Sequence, residues 1–274
     1  VTPLEWALVG FATALGLIIG SFLNVVISRV PTGESLRTPS HCPNCQAPIR
    51  AHQNVPLVSW IALRRKCAKC QATISARYIL VEFVTALAFG GVAIGVILQS
   101  QQHGIPVISA SLVFIAYAYL AAISIALAVI DIDTGRLPDA ITLPAYPVMI
   151  VALGAASIPI ANWDGLLRAV IGGVALWAFY ALLRLIRPDG MGGGDVKLAG
   201  VLGAALGYLG WGHLVVGAFA AFIFGGLFGL ALLLTRKAGR KTEVPFGPWM
   251  LAGAWTGIIF GGHIADWYVG MLNV

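Results

Sequence analysis

Long apolar runs separated by short polar intervals dominate the chain and predict an all-α polytopic membrane protein. Eight runs reach or approach the roughly 20 residues a helix needs to cross a bilayer: 5–27, 79–98, 108–130, 140–160, 166–186, 196–211, 213–234 and 246–270. The sixth and seventh are separated only by Gly210, Trp211 and Gly212. Glycine and proline inside the runs (Pro144, Pro147, Gly225, Gly226) are compatible with membrane helices, which tolerate them better than soluble ones do. The first run has no basic stretch before it and no small-residue cleavage pattern after it, so a retained helix is expected there and not a signal peptide. The one long polar interval is 28–78. No internal repeat or low-complexity tract stands out.

Composition strengthens the membrane reading. Apolar residues make up 59% of the chain and charged residues 10%, against about 25% charged in soluble domains. Mean hydropathy is +0.89. The formal charge of +6 is unevenly spread. The interval 28–78 holds Arg29, Arg37, Arg50, Arg64, Arg65, Lys66, Lys69 and Arg77. Strict alternation of eight spans then puts Arg136, Arg187 and the group Arg236, Lys237, Arg240 and Lys241 on the same side. The excess of Lys and Arg marks that side as cytosolic, with both termini opposite. Only Arg168 falls clearly towards the far side, where Asp164 is available as its partner. The charge thus reads as a topology signal and an attraction to anionic lipid, and no basic stripe interleaved with aromatics suggests nucleic acid.

Two kinds of chemistry stand out against this background. All four cysteines lie in the polar interval, as Cys42 and Cys45, then Cys67 and Cys70, with 21 residues between the pairs. Two Cys-x-x-Cys knuckles supply four thiolates for tetrahedral zinc, and four protein ligands leave no open position, so the expected metal is structural. A pair of disulfides is the alternative, disfavoured on a cytosolic loop where thiols stay reduced. His41 and His52 are spare donors. Separately, Asp131 closes the third apolar run, and Asp195 follows a glycine-rich turn, 190–194, before the sixth. Carboxylates at membrane depth are costly and mark functional positions, and two close together can share a proton for acid/base work. The glycines are expected to allow close substrate approach and positive φ. Asp195 at a helix N-terminus would favour the anion and act as base, with Asp131 as acid. Asp133, Asp139 and Asp189 read as solvated turn residues. Lys197 either holds substrate, tunes the pair, or snorkels to headgroups. The glycine-rich turn lacks the Gly-Lys-Ser/Thr ending and preceding strand of a phosphate loop.

Taken together, the stretches 20–31, 54–59 within the double Cys-x-x-Cys loop, 74–82, 131–139, 190–197 and 244–248 resemble the bacterial type IV prepilin peptidase family, bifunctional leader peptidases and N-methyltransferases. The resemblance covers nearly the whole chain. One departure is that Arg64, Arg65 and Lys66 precede Cys67 where the family pattern has a glycine before the lysine. The resemblance implies a membrane aspartic protease of the Gly-x-Gly-Asp class. Its first catalytic aspartate lies seven residues before the proline of a hydrophobic-Pro-Asp ending, which selects Asp131 over Asp133 because Pro138 is seven residues on. The second is Asp195, preceded by Gly192 and Gly194, with Lys197 after it.

The same resemblance implies substrates that are prepilins or pseudopilins, with a basic leader, a glycine at the cut and an apolar helix lying in the bilayer. It also implies S-adenosylmethionine as donor for methylation of the new N-terminus, for which Asn24, Arg29 and Glu82 are the polar positions to test. Their plain structural alternatives are helix–helix hydrogen bonding and interface anchoring. The expected organisation is a first transmembrane helix (1–27), a cytosolic zinc-ribbon-like loop (28–78, within a methyltransferase-associated region 20–82) and a seven-helix peptidase domain (79–274), all in the bacterial inner membrane. The competing readings are a peptidase without methyl transfer and a non-catalytic zinc-stabilised scaffold.

Overall fold

The computed structural model describes residues 2–42, 44–50, 53, 55–235 and 245–272. Pro43, His52, Asn54, Val244 and the basic group Arg236, Lys237, Arg240 and Lys241 lie outside them. Among the described residues the chain is helical and has no strand: α1 (Pro3–Arg29), the short α2 (Val58–Ala62), α3 (Ala76–His103), α4 (Val107–Thr134), α5 (Asp139–Ser157), α6 (Trp163–Ile186), α7 (Gly193–Leu209), α8 (Trp211–Leu234) and α9 (Gly247–Leu272). Each of the eight predicted runs falls on one long helix. Among the described residues six helices are long and apolar enough to cross a bilayer: α1, α3, α4, α5 (with the 3-10 turn that extends it to Ile160), α6 and α8. At 17 residues, α7 spans only about 25 Å at 1.5 Å per residue. It is enclosed by α5, α6, α8 and α9, and 12 of its residues are buried. Gly210 alone separates α7 from α8, at φ 155° and ψ 167°, a conformation essentially restricted to glycine.

The chain divides into two compact units, Val1–Ala126 and Leu127–Val274, so the division falls inside α4. In the first, α1 and α3 meet along small residues. A Cβ added at Gly16 would lie 2.8 Å from the Ala86 Cα, and one at Gly20 2.7 Å from the Glu82 Cα. Such close approach gives membrane helices their packing attraction where no hydrophobic drive exists between them. Val9, Ala12 and Ala93 form a core with Ile97 and Phe114, and Phe114 meets Phe89 edge-on at 6.3 Å.

In the second unit, α6 packs on α7 through Gly172, Gly203 and Gly207, and α8 on α9 through Gly217, Gly253 and Gly257. The expected Arg168–Asp164 pair is not formed. Arg168 instead has a buried Nε with no hydrogen-bond partner among the described residues, and its backbone lies against Gly207 at the α6–α7 contact.

Candidate active site and metal centre

Local sequence fixes both aspartates. Gly135 adopts φ 63° and its N–H donates to the Asp131 carbonyl at 2.8 Å, the left-handed stop that ends α4 and leaves Asp131 in its last turn. Pro138 then starts α5. Gly192 is extended ahead of α7, and Asp195, third in that helix, reaches back to accept the Gly192 N–H at 3.0 Å, one half of a capping box. Asp131 is 4% exposed and Asp195 8%, whereas Asp133 is exposed. Asp131 accepts the Gly247 N–H, also at 3.0 Å.

Leu137 ties the two ends together. A Cβ at Gly194 would lie 2.7 Å from the Leu137 Cβ, and one at Gly247 3.2 Å from its Cδ2 and 2.6 Å from the Asp131 Oδ2. None of Gly192, Gly193 and Gly194 has positive φ, contrary to expectation. Space is what Gly194 supplies: Gly193 and Gly194 are already helical, and a Cβ at Gly194 would run into the Leu137 Cβ, whereas at Gly193 it would meet only the mobile end of Arg184. Gly247→Ala should therefore push the Asp131 carboxylate aside and lower turnover by about tenfold or more, since small misplacements of reacting groups are costly; leader-peptide cleavage by folded variant enzyme measures it.

Lys197 does not reach the carboxylate pair. Its Nζ donates to both oxygens of Asp139 at 2.7 Å. Tyr180, buried in α6, packs at a tilt against Phe222 and Phe246 at centroid distances of 5.7 and 6.2 Å.

The cysteines converge as the spacing predicts. One sulfur from each of Cys42, Cys45, Cys67 and Cys70 lies within 4.8 Å of the others, and no disulfide joins them. The knuckles are copies of one another: His41–Ile49 and Lys66–Ile74 share Cys-x-x-Cys-Gln-Ala-x-Ile at an offset of 25 residues. This short repeat escapes a reading of the chain's larger pattern. Cys42 N–H donates to Ala47 and Cys67 N–H to Ala72, each at 2.9 Å. Gln46 and Gln71 both take positive φ, 56° and 61°.

Hydrogen bonds from the Ala72 N–H and the Asn44 amide hold the Cys70 thiol down to about 6. Cys45, despite the Ala47 N–H, is pushed up to about 11 by burial and by the other three sulfurs. Four thiolates cannot coexist without a cation to neutralise them, so the donor set fits zinc. His41 stands outside the cluster. Arg64 and Arg65, where a glycine was expected, carry that turn in left-handed conformations at φ 50° and 63°, and Arg65 is held over the Trp60 ring at 5.2 Å.

Residues 14–96 match the bacterial peptidase A24 N-terminal domain, and residues 118–230 match the type IV leader peptidase family. Proteins named prepilin leader peptidase/N-methyltransferase are similar to the chain over nearly its full length. That of Stutzerimonas stutzeri is 34% identical over 98% of both chains. That of Neisseria gonorrhoeae is 36% identical over 94% of this chain and 92% of its own, and that of Pseudomonas aeruginosa 32% over 93% and 91%. The chain belongs to the type IV leader peptidase family. No solved structure matches it.

Within the region matched to the family's N-terminal domain, Asn24, Arg29 and Glu82 are all buried, and each has a structural partner. Asn24 Nδ2 donates to the Tyr78 carbonyl at 3.1 Å, bridging α1 and α3. The Arg29 guanidinium donates to the carbonyls of Ser35, Thr38 and Pro39 at 3.1, 2.6 and 3.3 Å. It folds the chain leading to Cys42. Glu82 accepts the Leu57 N–H at 2.8 Å, presented by a residue at φ 58°. Asn24 therefore ties α1 to α3, while Arg29 and Glu82 join the cysteine loop to α1 and α3. The stretch 244–248 gains a chemical meaning that sequence did not supply, since Gly247 holds Asp131 and Phe246 packs on Tyr180.

Proposed function

We propose that this chain is a membrane aspartic endopeptidase that removes the basic leader from type IV prepilins or pseudopilins at the cytosolic face of the bacterial inner membrane, and then N-methylates the new N-terminal residue. The observation that carries the reading is a pair of buried carboxylates, Asp131 and Asp195, at the ends of α4 and α7, each held by one backbone N–H at 3.0 Å. With one proton between them, the ionised member takes a proton from water as it attacks the scissile carbonyl. The protonated member polarises that carbonyl. Collapse of the adduct breaks the C–N bond, and the departing amine receives a proton from the pair. Gly192, Gly193 and Gly194 add no side chains of their own beside Asp195.

The distribution of Lys and Arg supports a cytosolic position for the aspartates and the cysteine loop. The four cysteines would hold a zinc ion that folds the loop. The methyl donor is S-adenosylmethionine, with Asn24, Arg29 and Glu82 shaping the region that uses it, as the relatives' name of prepilin leader peptidase/N-methyltransferase supports. The test is full-length enzyme in proteoliposomes, given a prepilin-type substrate and methyl-labelled S-adenosylmethionine. Loss of the leader with label on the new N-terminus is expected. An intact leader rejects the protease, and a cut but unlabelled product rejects the transferase.

A further inference from the structure

We infer that Asp139 and Lys197 form a positioning pair that sets the separation of the two aspartates, rather than a pair of solvated or substrate-binding charges. This rests on the proposal that Asp131 and Asp195 react. The geometry is a staple across two chain segments 58 residues apart. Asp139 opens α5 one short turn after Asp131, and Lys197 lies two residues beyond Asp195 on α7.

Three contacts close the same seam. Lys197 Nζ meets both Asp139 oxygens at 2.7 Å. Tyr146, from the α5 interior, donates its hydroxyl to the Lys197 carbonyl at 2.6 Å. Gly194 receives Leu137 so closely that an added Cβ would overlap it at 2.7 Å. The first turn of α7 is thereby held against the segment that leaves Asp131. Leu137 also lines the space beside Gly247, where an added Cβ would come within 3.2 Å of its Cδ2, and Gly247 is the donor to Asp131, so movement at the staple reaches both carboxylates. The ion pair itself is half-exposed, with side chains 39% and 56% accessible. Such pairs add little to stability, which leaves geometry as the quantity it controls.

The test uses full-length enzyme in proteoliposomes with a prepilin-type peptide, comparing Asp139→Asn, Lys197→Gln, the double variant and Lys197→Arg for kcat, KM and thermal midpoint. Each neutral single variant should lose about tenfold or more in kcat, with KM within about twofold and the midpoint unchanged. The double variant should be no worse than either single, because the two act as one contact, and Lys197→Arg should recover most of the loss. Wild-type kcat in the singles, a rise in KM alone, multiplying losses in the double, or a lowered midpoint without recovery by Lys197→Arg would each overturn the inference. Asp131→Asn and Asp195→Asn run alongside. If these still cut, the reading of the reacting pair fails; if they are silent while the Asp139 and Lys197 variants cut at wild-type rate, the staple alone fails.

Discussion

Asp131→Asn and Asp195→Asn, made separately, are each expected to reduce leader cleavage by about a thousandfold or more, the upper part of the range for losing a positioned acid or base. The substitutions are nearly isosteric. An asparagine carbonyl at 131 can still accept the Gly247 N–H, and one at 195 can still accept the Gly192 N–H. What disappears is the exchangeable proton and the charge, so the folded protein should accumulate normally. Losses should also be non-additive, since neither carboxylate can complete the proton cycle without the other. Methylation of a pilin supplied already cut provides the internal control, because Asn24, Arg29 and Glu82 belong to the other compact unit. Cleavage within tenfold of wild type in either variant would remove Asp131 and Asp195 from the reaction.

The helices were legible because lipid imposes a simple rule: the backbone must pair with itself across the whole apolar thickness. The pattern therefore put a predicted run on each long helix among the described residues, six of which are long and apolar enough to cross a bilayer, while α7, at 17 residues, is surrounded by other helices. The cysteine cluster was legible because two short loops bring their own ligands together. What the pattern could not supply was contact between distant segments. Asp139 looked like a turn residue, and only the folded chain brings it to Lys197. Glycine is ambiguous in sequence, since it can serve left-handed turns or close approach. Gly135 does the first, while Gly194 and Gly247 do the second. The division of labour between the aspartates was read from helix ends, yet each accepts one backbone N–H at the same 3.0 Å, so hydrogen bonding does not distinguish them.

Removing the metal, by chelation or by Cys42→Ser, should cut methyl transfer by about a hundredfold or more, as loss of the structure around a site does, while leader cleavage persists. Among the described residues between 30 and 80 the only buried side chains are Cys42 and Ser59, so these residues supply no apolar core to hold the loop. A structural zinc site contributes on the order of 10 kcal/mol to such a segment, far more than its scattered hydrogen bonds. When the knuckles open, the constraint on the segment between them goes too. Leu57 sits there at φ 58°, a conformation a leucine keeps only while its surroundings enforce it. Its release takes the N–H from Glu82, leaving a buried carboxylate short of its donor, and slackens the chain folded on Arg29. Asp131 and Asp195 lie in the second compact unit and draw their donors from Gly247 and Gly192, none of them in the loop. The measurement is metal content by elemental analysis, proteolysis of the 41–74 segment, and both activities on matched substrates. One zinc per chain, a newly cut loop and a selective loss of methylation are expected; parallel loss of both activities would mean that the loop supports the peptidase as well.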